Sequence, residues 1–232
     1  VLLTTTLFAY PGDINDDGLV DILDVVLIVN LILDNEYEDS ADINEDNSVN
    51  ILDIVSVTNI ILGGAPPVTA TAGTALYHAQ QVAQELGRIP SFTCDDAIEV
   101  PITQNGVQVS GPQGSTVSWC DNPAATGDEC QIGNLLGRYE GYYHNGQLKP
   151  EVTFMINCRD GGLGAIGHNS VTGATAFFSI QENVDAGGEL PGPDDPSYNG
   201  AWQSPAIVAA ENCQNCHVAD PWLHTPYFDQ IS

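Results

Sequence analysis

The sequence predicts an α+β protein, with a small helical unit at its N-terminal end and a β-rich domain after it. Three observations carry this reading. A pattern of oxygen-bearing side chains starting at Asp13 recurs 29 residues later, at Asp42. Between residues 91 and 180, short alternating apolar segments are separated by Gly, Pro and Asn-Gly turns. Near the end stands Cys213-Gln214-Asn215-Cys216-His217, a C-x-x-C-H run of the kind that attaches c-type haem. The expected fold is therefore a small α-helical domain with two EF-hand-type calcium loops, followed by a disulfide-containing β-rich domain with a C-terminal c-haem segment. The expected boundaries are an N-terminal strand or arm over 1–11, the calcium-binding unit over 12–64, a linker and helix over 65–90, and the haem-binding domain over 91–232.

Residues 1–10 (VLLTTTLFAY) are Thr-rich, β-branched and free of charge, which reads as a strand or extended arm. Two roles fit such an arm, an edge strand of its own subunit or a strand added to a neighbouring copy. The repeat follows. Its first copy offers Asp13, Asn15, Asp17, Asp21 and Asp24 with the carbonyl of Leu19; its second offers Asp42, Asn44, Asp46, Asn50 and Asp53 with the carbonyl of Ser48. These are positions 1, 3, 5, 9, 12 and 7 of an EF-hand loop. Calcium takes six to eight hard oxygens, and alternate side chains on a curling loop all point inward. Gly18 and Asn47 stand at position 6, where a positive φ is needed.

A calcium loop followed by one helix, twice, resembles the dockerin domain over roughly residues 10–64. The resemblance implies two bound calcium ions, held by the two sets just named, and a pair of helices that dock onto a cohesin. Where cellulosomal dockerins often carry a Ser-Thr pair, this chain has Ile22-Leu23 and Ile51-Leu52. Residues 22–33 are apolar on nearly every side, broken by Asp24 and Asn30, and residues 51–62 keep only Ser56, Thr58 and Asn59 as a polar stripe. Two such helices cannot bury all that surface against each other. The remainder packs on the rest of the chain or on another molecule, whether a cohesin or a second copy.

Gly63-Gly64-Ala65-Pro66-Pro67 is a linker. Residues 71–86 read as an amphipathic helix stopped by Gly87, with His78 on it. Strands are expected over 98–103, 107–110, 117–120, 138–144, 151–158, 163–168 and 174–180, with hairpins at Asn105-Gly106 and Asn145-Gly146. His144, beside the second turn, is expected at the surface. Gly161-Gly162-Leu163-Gly164 lacks the Lys and the strand–loop–helix order of a phosphate loop. Residues 182–200 read as a surface loop. A short helix then starts after Ser204-Pro205, Ser as N-cap and Pro at N1, and delivers the C-x-x-C-H.

In that run, two thiols three residues apart reach two vinyl groups on one porphyrin edge, and the next residue sends an imidazole nitrogen under the iron. Cys213 and Cys216 are thus the thioether candidates and His217 the proximal ligand of one haem c. The same spacing also serves a redox dithiol or half of a zinc site, for which His224 is the only nearby partner. The run, with the trailing Asp220-Pro221-Trp222-Leu223-His224-Thr225-Pro226-Tyr227, resembles the C-terminal element of secreted single-haem cytochrome c-like proteins. Distal-ligand candidates are His224, His78 and His168, with His144 and the single methionine, Met155, also in reach of the body of the protein. The other four cysteines allow two disulfides. The short 120–130 loop favours Cys120–Cys130 with Cys94–Cys158 among three pairings.

Charge narrows the partners. With 31 acidic residues against four Lys and Arg, the formal net charge is -27, which argues against nucleic acid and anionic membrane surfaces. No run of about eighteen apolar residues predicts a membrane span. A start at Val1, disulfides, calcium and haem attachment all point outside the cytoplasm, to a secreted or cell-surface protein. Three functions remain: an extracellular electron-transfer cytochrome, a structural protein assembled into a fibre or on a surface through its helices and arm, and a haem peroxidase. No acid–base pair stands out for catalysis, so electron transfer and assembly are favoured.

Overall fold

The structure is a computed structural model that describes residues 10–95, 97–124, 130–159, 162–179, 189–193, 203–211, 213, 217, 221–222 and 225–231. Residues 1–9 of the expected arm, Cys216 and His224 lie outside them. Each repeat builds the same start. Helix α1 (Ile22–Asp34) opens on Asp21 and α2 (Ile51–Ile61) on Asn50. In both, the N-cap side chain accepts an amide while the third helical residue, Asp24 or Asp53, accepts the N-cap amide in return. Helix α1 stops where Asn35 turns left-handed, at φ 55°. The pair closes around Val20, Ile28, Ala41, Ile43, Val57 and Ile60.

Helix α3 (Ala75–Leu86) begins later than its periodicity suggests, because Gly73 takes φ +87° and Thr74 caps the helix by accepting the Tyr77 amide. It ends at Gly87, where φ is +83° and an added Cβ would lie 2.1 Å from the Tyr142 carbonyl oxygen. Only glycine permits that approach of helix end to strand.

The main sheet is antiparallel, in the order β2 (Ile98–Glu99), β5 (Leu135–Tyr142), β6 (Leu148–Arg159), β7 (Gly162–Asn169) and β8 (Thr175–Ser179). Two small pairs flank it: β1 (Phe92–Thr93) with β9 (Glu189–Leu190), and β3 (Thr103–Gln104) with β4 (Val107–Gln108). Asn105 and Gly106 both have positive φ, as a two-residue hairpin turn of type I′ requires. The strand expected over 117–120 does not form. That stretch is a loop tied by a single bridge, Thr116 to Gln131, and by a disulfide. Strands β1 and β9 are two residues each, too short for alternation to reveal.

Strand β6 alternates strictly from Val152 to Cys158. Val152, Phe154, Ile156 and Cys158 point to one face, with Leu163, Ala165, Ala176 and Phe178 beside them. Ala75, Ala79, Ala83 and Leu86 of α3 cover that face. Helix α3 therefore belongs to the β-rich domain, not to the linker. A separate cluster of Val100, Ile102, Ile132 and Tyr227 draws the end of the chain onto the β2 side. Disulfides join Cys94 to Cys158 and Cys120 to Cys130, the pairing that the short loop favours.

The two bridges close loops of different length, with sequence separations of 64 and 10. On loop entropy they stabilise by about 4 and about 3 kcal/mol. Replacing Cys94 and Cys158 by Ala should lower the denaturant midpoint more than replacing Cys120 and Cys130; the reverse order would contradict this role of the longer loop.

Candidate functional site

The N-terminal loops are built alike, down to single hydrogen bonds. Asp13 accepts the amides of Asp17 (3.1 Å) and Gly18 (2.8 Å); Asp42 accepts those of Asp46 (3.1 Å) and Asn47 (2.8 Å). At the far end, Asp24 accepts from Ile14 and Asp21, and Asp53 from Ile43 and Asn50. Asp24 and Asp53 are fully buried, and Asp13 and Asp42 nearly so. Backbone φ repeats too: Asp16 and Glu45 at 56°, Gly18 at 86° and Asn47 at 65°. Burial raises the Asp13 carboxyl above the usual carboxylate range, against the pull of the Gly18 and Asp17 amides.

Buried carboxylates without a cationic side chain, among Asn amide oxygens and backbone carbonyls, form a hard-oxygen donor set that fits calcium. Among the described residues, no group of three or more His, Cys, Asp or Glu side chains clusters as a metal site. Here the donors are mixed, and the carboxylates are spread along each loop on amide hydrogen bonds. Tyr37 donates to Asp42 (3.1 Å), tying a tyrosine to the second loop.

The helices leave much of their apolar surface open. Ile22, Leu23, Val26 and Leu33 are exposed on α1, and Ile51, Leu52, Val55 and Leu62 occupy the same repeat positions on α2. Ile22 is 65% exposed and Ile51 63%, so the described body of the chain does not cover these stripes. Of the two coverings that the sequence allows, the intramolecular one is not made by the described residues.

At the other end, the chain crosses the sheet. Helix α4 (Pro205–Ala210) packs against β8, with Ser204 as N-cap and Pro205 at N1; the Ser204 side chain itself makes no capping bond. Beyond it, Tyr227 is buried, and its hydroxyl accepts the Asn134 amide (3.0 Å) next to β5. Of the described residues between these anchors, His217 and Trp222 lie on the face opposite α3. There His217 meets Phe177 of β8 (ring centroids 5.6 Å apart), and Trp222 stands edge-on to His168 of β7 (5.9 Å). The His217 amide donates to the Cys213 carbonyl (3.2 Å). Its Nδ1 lies 2.8 Å from the Pro221 carbonyl oxygen, so Nδ1 carries the proton and Nε2 keeps its lone pair.

On this face, Met155, Ile166 and Phe177 are cross-strand neighbours in one half-buried row. An added Cβ on Gly162 would meet nothing, and one on Gly164 only the Phe178 carbonyl oxygen, 3.9 Å away. Asn157 Oδ1, on the same face, is buried without a hydrogen-bond partner. The result is a flat floor with thioether, aromatic and imidazole side chains and one orphaned acceptor.

The histidine candidates separate. His168 lies on this face, its Nδ1 2.8 Å from Thr175 Oγ1. His78 lies on the α3 side, against Phe178, half-buried, with its pKa lowered by burial and its ring bonded to the Phe177 backbone. His144 is buried, not exposed. It is held between the Tyr10 hydroxyl at Nδ1 and the Ala83 carbonyl at Nε2 (2.8 Å), so both nitrogens are engaged and neither is free for iron. The turn position hid this, because the partners are 134 and 61 residues away.

The N-terminal unit is thus a duplicated loop-and-helix domain. Residues 11–62 match the Dockerin type I domain family, so the chain carries a dockerin, an extracellular docking or assembly module. Dockerin domains bind calcium and occur in secreted and cell-surface proteins. No curated protein and no solved structure matches the chain. No helix among the described residues is long and apolar enough to cross a membrane.

Burial first, then the charges of Arg88 and Lys149, lowers the His144 pKa to about 4, against 6.5 for a free imidazole. A depressed imidazole stabilises the fold fully above pH 6.5 and loses that contribution as pH falls toward 4, by up to about 3 kcal/mol. Denaturation of the native protein and of His144→Leu, compared across pH 7 to 4, should show a steeper loss in the native protein. Parallel curves would mean that His144 is not the group responsible.

Proposed function

We propose that this chain is an extracellular haem c protein that uses its dockerin to attach to a partner or to further copies of itself. The observation that carries the haem reading is the His217–Pro221 hydrogen bond. A ligating histidine almost always donates its second ring N–H to an acceptor, which fixes the tautomer and leaves the other nitrogen for the metal. Cys213 and Cys216 would hold the macrocycle covalently and His217 would hold the iron. The Gly164 floor and the Met155–Ile166–Phe177 row would give it an apolar wall. The group would supply one-electron redox chemistry. The chain's part is to exclude water from one face, to fix His217, and to offer a sixth ligand from the sheet.

His168 and Met155 are the sixth-ligand candidates on the right face. His168 is favoured because its bond to Thr175 leaves Nε2 available. His78, bonded to the Phe177 backbone on the helix side, is less favoured, and His224 lies outside the described residues. Electron transfer is preferred to peroxidase chemistry: among the described residues this face carries Arg138, at the end of the Met155 row and ion-paired to Glu140 (3.3 Å), and Arg159, at the end of β6, and neither has a hydrogen bond to a histidine.

In the dockerin, calcium would be held by Asp13, Asn15, Asp17, Leu19 (carbonyl), Asp21 and Asp24, and by Asp42, Asn44, Asp46, Ser48 (carbonyl), Asn50 and Asp53. The twin exposed stripes support docking to an apolar surface, of a cohesin or of a second copy in a fibre, with the N-terminal arm as a further link.

Protein matured with a c-haem assembly system should give a reduced α-band typical of thioether-bound haem, and Cys213→Ala/Cys216→Ala should release its haem into acidified solvent. A native protein without that band would overturn the haem reading. Within a haem-loaded protein, His168→Ala should shift the iron to high spin and open it to CO, whereas Met155→Leu should not. For the dockerin, chelation should lower the melting temperature and Asp53→Ala should abolish one of two calcium-binding steps.

A further inference from the structure

The two calcium loops are near-copies in sequence, yet they sit differently in the molecule. The tip of the first, Gly18-Leu19-Val20, lies against the turn between β5 and β6. The Gly18 carbonyl accepts from Arg88 Nη1 (3.3 Å), and the Val20 amide donates to the Asn145 carbonyl (3.3 Å). A Cβ added to Gly146 would come within 2.6 Å of the Gly18 oxygen and 3.0 Å of Leu19 Cδ2, so loop and turn are in direct contact. Arg88 also donates twice to the His144 carbonyl (3.0 and 2.7 Å). Its guanidinium lies 3.8 Å from the centre of the Tyr10 ring, and the Tyr10 carbonyl accepts the Asp13 amide (2.8 Å). The equivalent tip of the second loop, Asn47-Ser48, is exposed and, among the described residues, hydrogen-bonds only within its own loop.

We propose that Arg88 is a positioning residue for the first calcium site, and that calcium in this loop, and not in the second, fastens the dockerin to the β-rich domain. This rests on the calcium reading above. The Leu19 carbonyl, assigned to calcium, lies between the two backbone groups that bond to the body. Fixing Gly18 and Val20 from outside therefore restricts the peptide that presents that oxygen, and calcium in turn restricts the groups that make the junction. Coupling of this kind is reciprocal. A guanidinium over an aromatic ring, with three hydrogen bonds to two backbone carbonyls, makes a directional clamp that a lysine would not reproduce. The first site would then be the tighter one while the domains are joined, although the ligand sets differ only in Asp21 against Asn50.

Calorimetric titration of the chelator-treated full-length protein tests this. Arg88→Ala should weaken one of two calcium steps roughly five-fold or more and leave the other unchanged. Two unchanged steps, or an equal loss in both, would overturn the proposal; no calcium binding at all would instead overturn the calcium reading. Hydrogen exchange of the native chain gives a second measure should Arg88→Ala not fold. Calcium should protect the Val20 amide and the 143–147 turn. Asp17→Ala should remove that protection, and Asp46→Ala, the same change in the exposed second loop, should keep it. Equal effects of the two substitutions would show that the first loop has no special role at the junction.

Discussion

A β-sheet has two faces, and only one of them is closed here by a helix. Strand β6 sends Val152, Phe154, Ile156 and Cys158 to α3, where they are fully or almost fully buried. The residues between them, Thr153, Met155 and Asn157, face the other way and are only partly covered. Apolar surface in water is unfavourable by roughly 25 cal/mol per Å², so that second face needs a cover. Part of one comes from the described residues near the end of the chain: α4 packs on β8, His217 meets Phe177, Trp222 meets His168, and Tyr227 is anchored beside β5.

A second constraint acts at the other end. Asp13, Asp24, Asp42 and Asp53 are buried in a chain with a formal net charge of -27. No lysine or arginine side chain is ion-paired to them among the described residues. Amide hydrogen bonds fix their directions but do not cancel their charge. Divalent cations would cancel it, which ties folding of the dockerin to calcium. Once folded, it has spent its small core on Ile28, Val57 and Ile60 and turns its remaining Ile, Leu and Val outward. Arg88, one of only four basic side chains, is used between dockerin and sheet, not on the acidic surface. Taken together, the chain is a β-rich domain joined to a docking domain, with the first of the two repeated loops at the junction.

Features with a local cause were legible in the amino-acid sequence. The Asn105-Gly106 turn, the stop at Gly87 and the Pro205 helix start each depend on residues a few positions apart. The 29-residue repeat revealed the dockerin because duplicated spacing is sequence information. Alternation located the long strands, while β1 and β9 escaped because two residues carry no period. The 117–120 segment misled because its β-branched and aromatic residues suit a strand, yet its pairing with the described residues stops at the Thr116–Gln131 bridge and the Val117–Cys130 hydrogen bond.

What the sequence alone determined was chemistry at fixed spacing: two oxygen-rich loops, a Cys-x-x-Cys-His run, and a disulfide with a short loop. What only the tertiary structure decided was company. It buried His144 between Tyr10 and Ala83, kept His78 on the helix side and His168 on the open side, made α3 a layer of the sheet, and set the first calcium loop against Arg88. Those outcomes join residues far apart in the chain. They follow from which faces remain uncovered after the sheet has formed, which no local pattern of residues encodes.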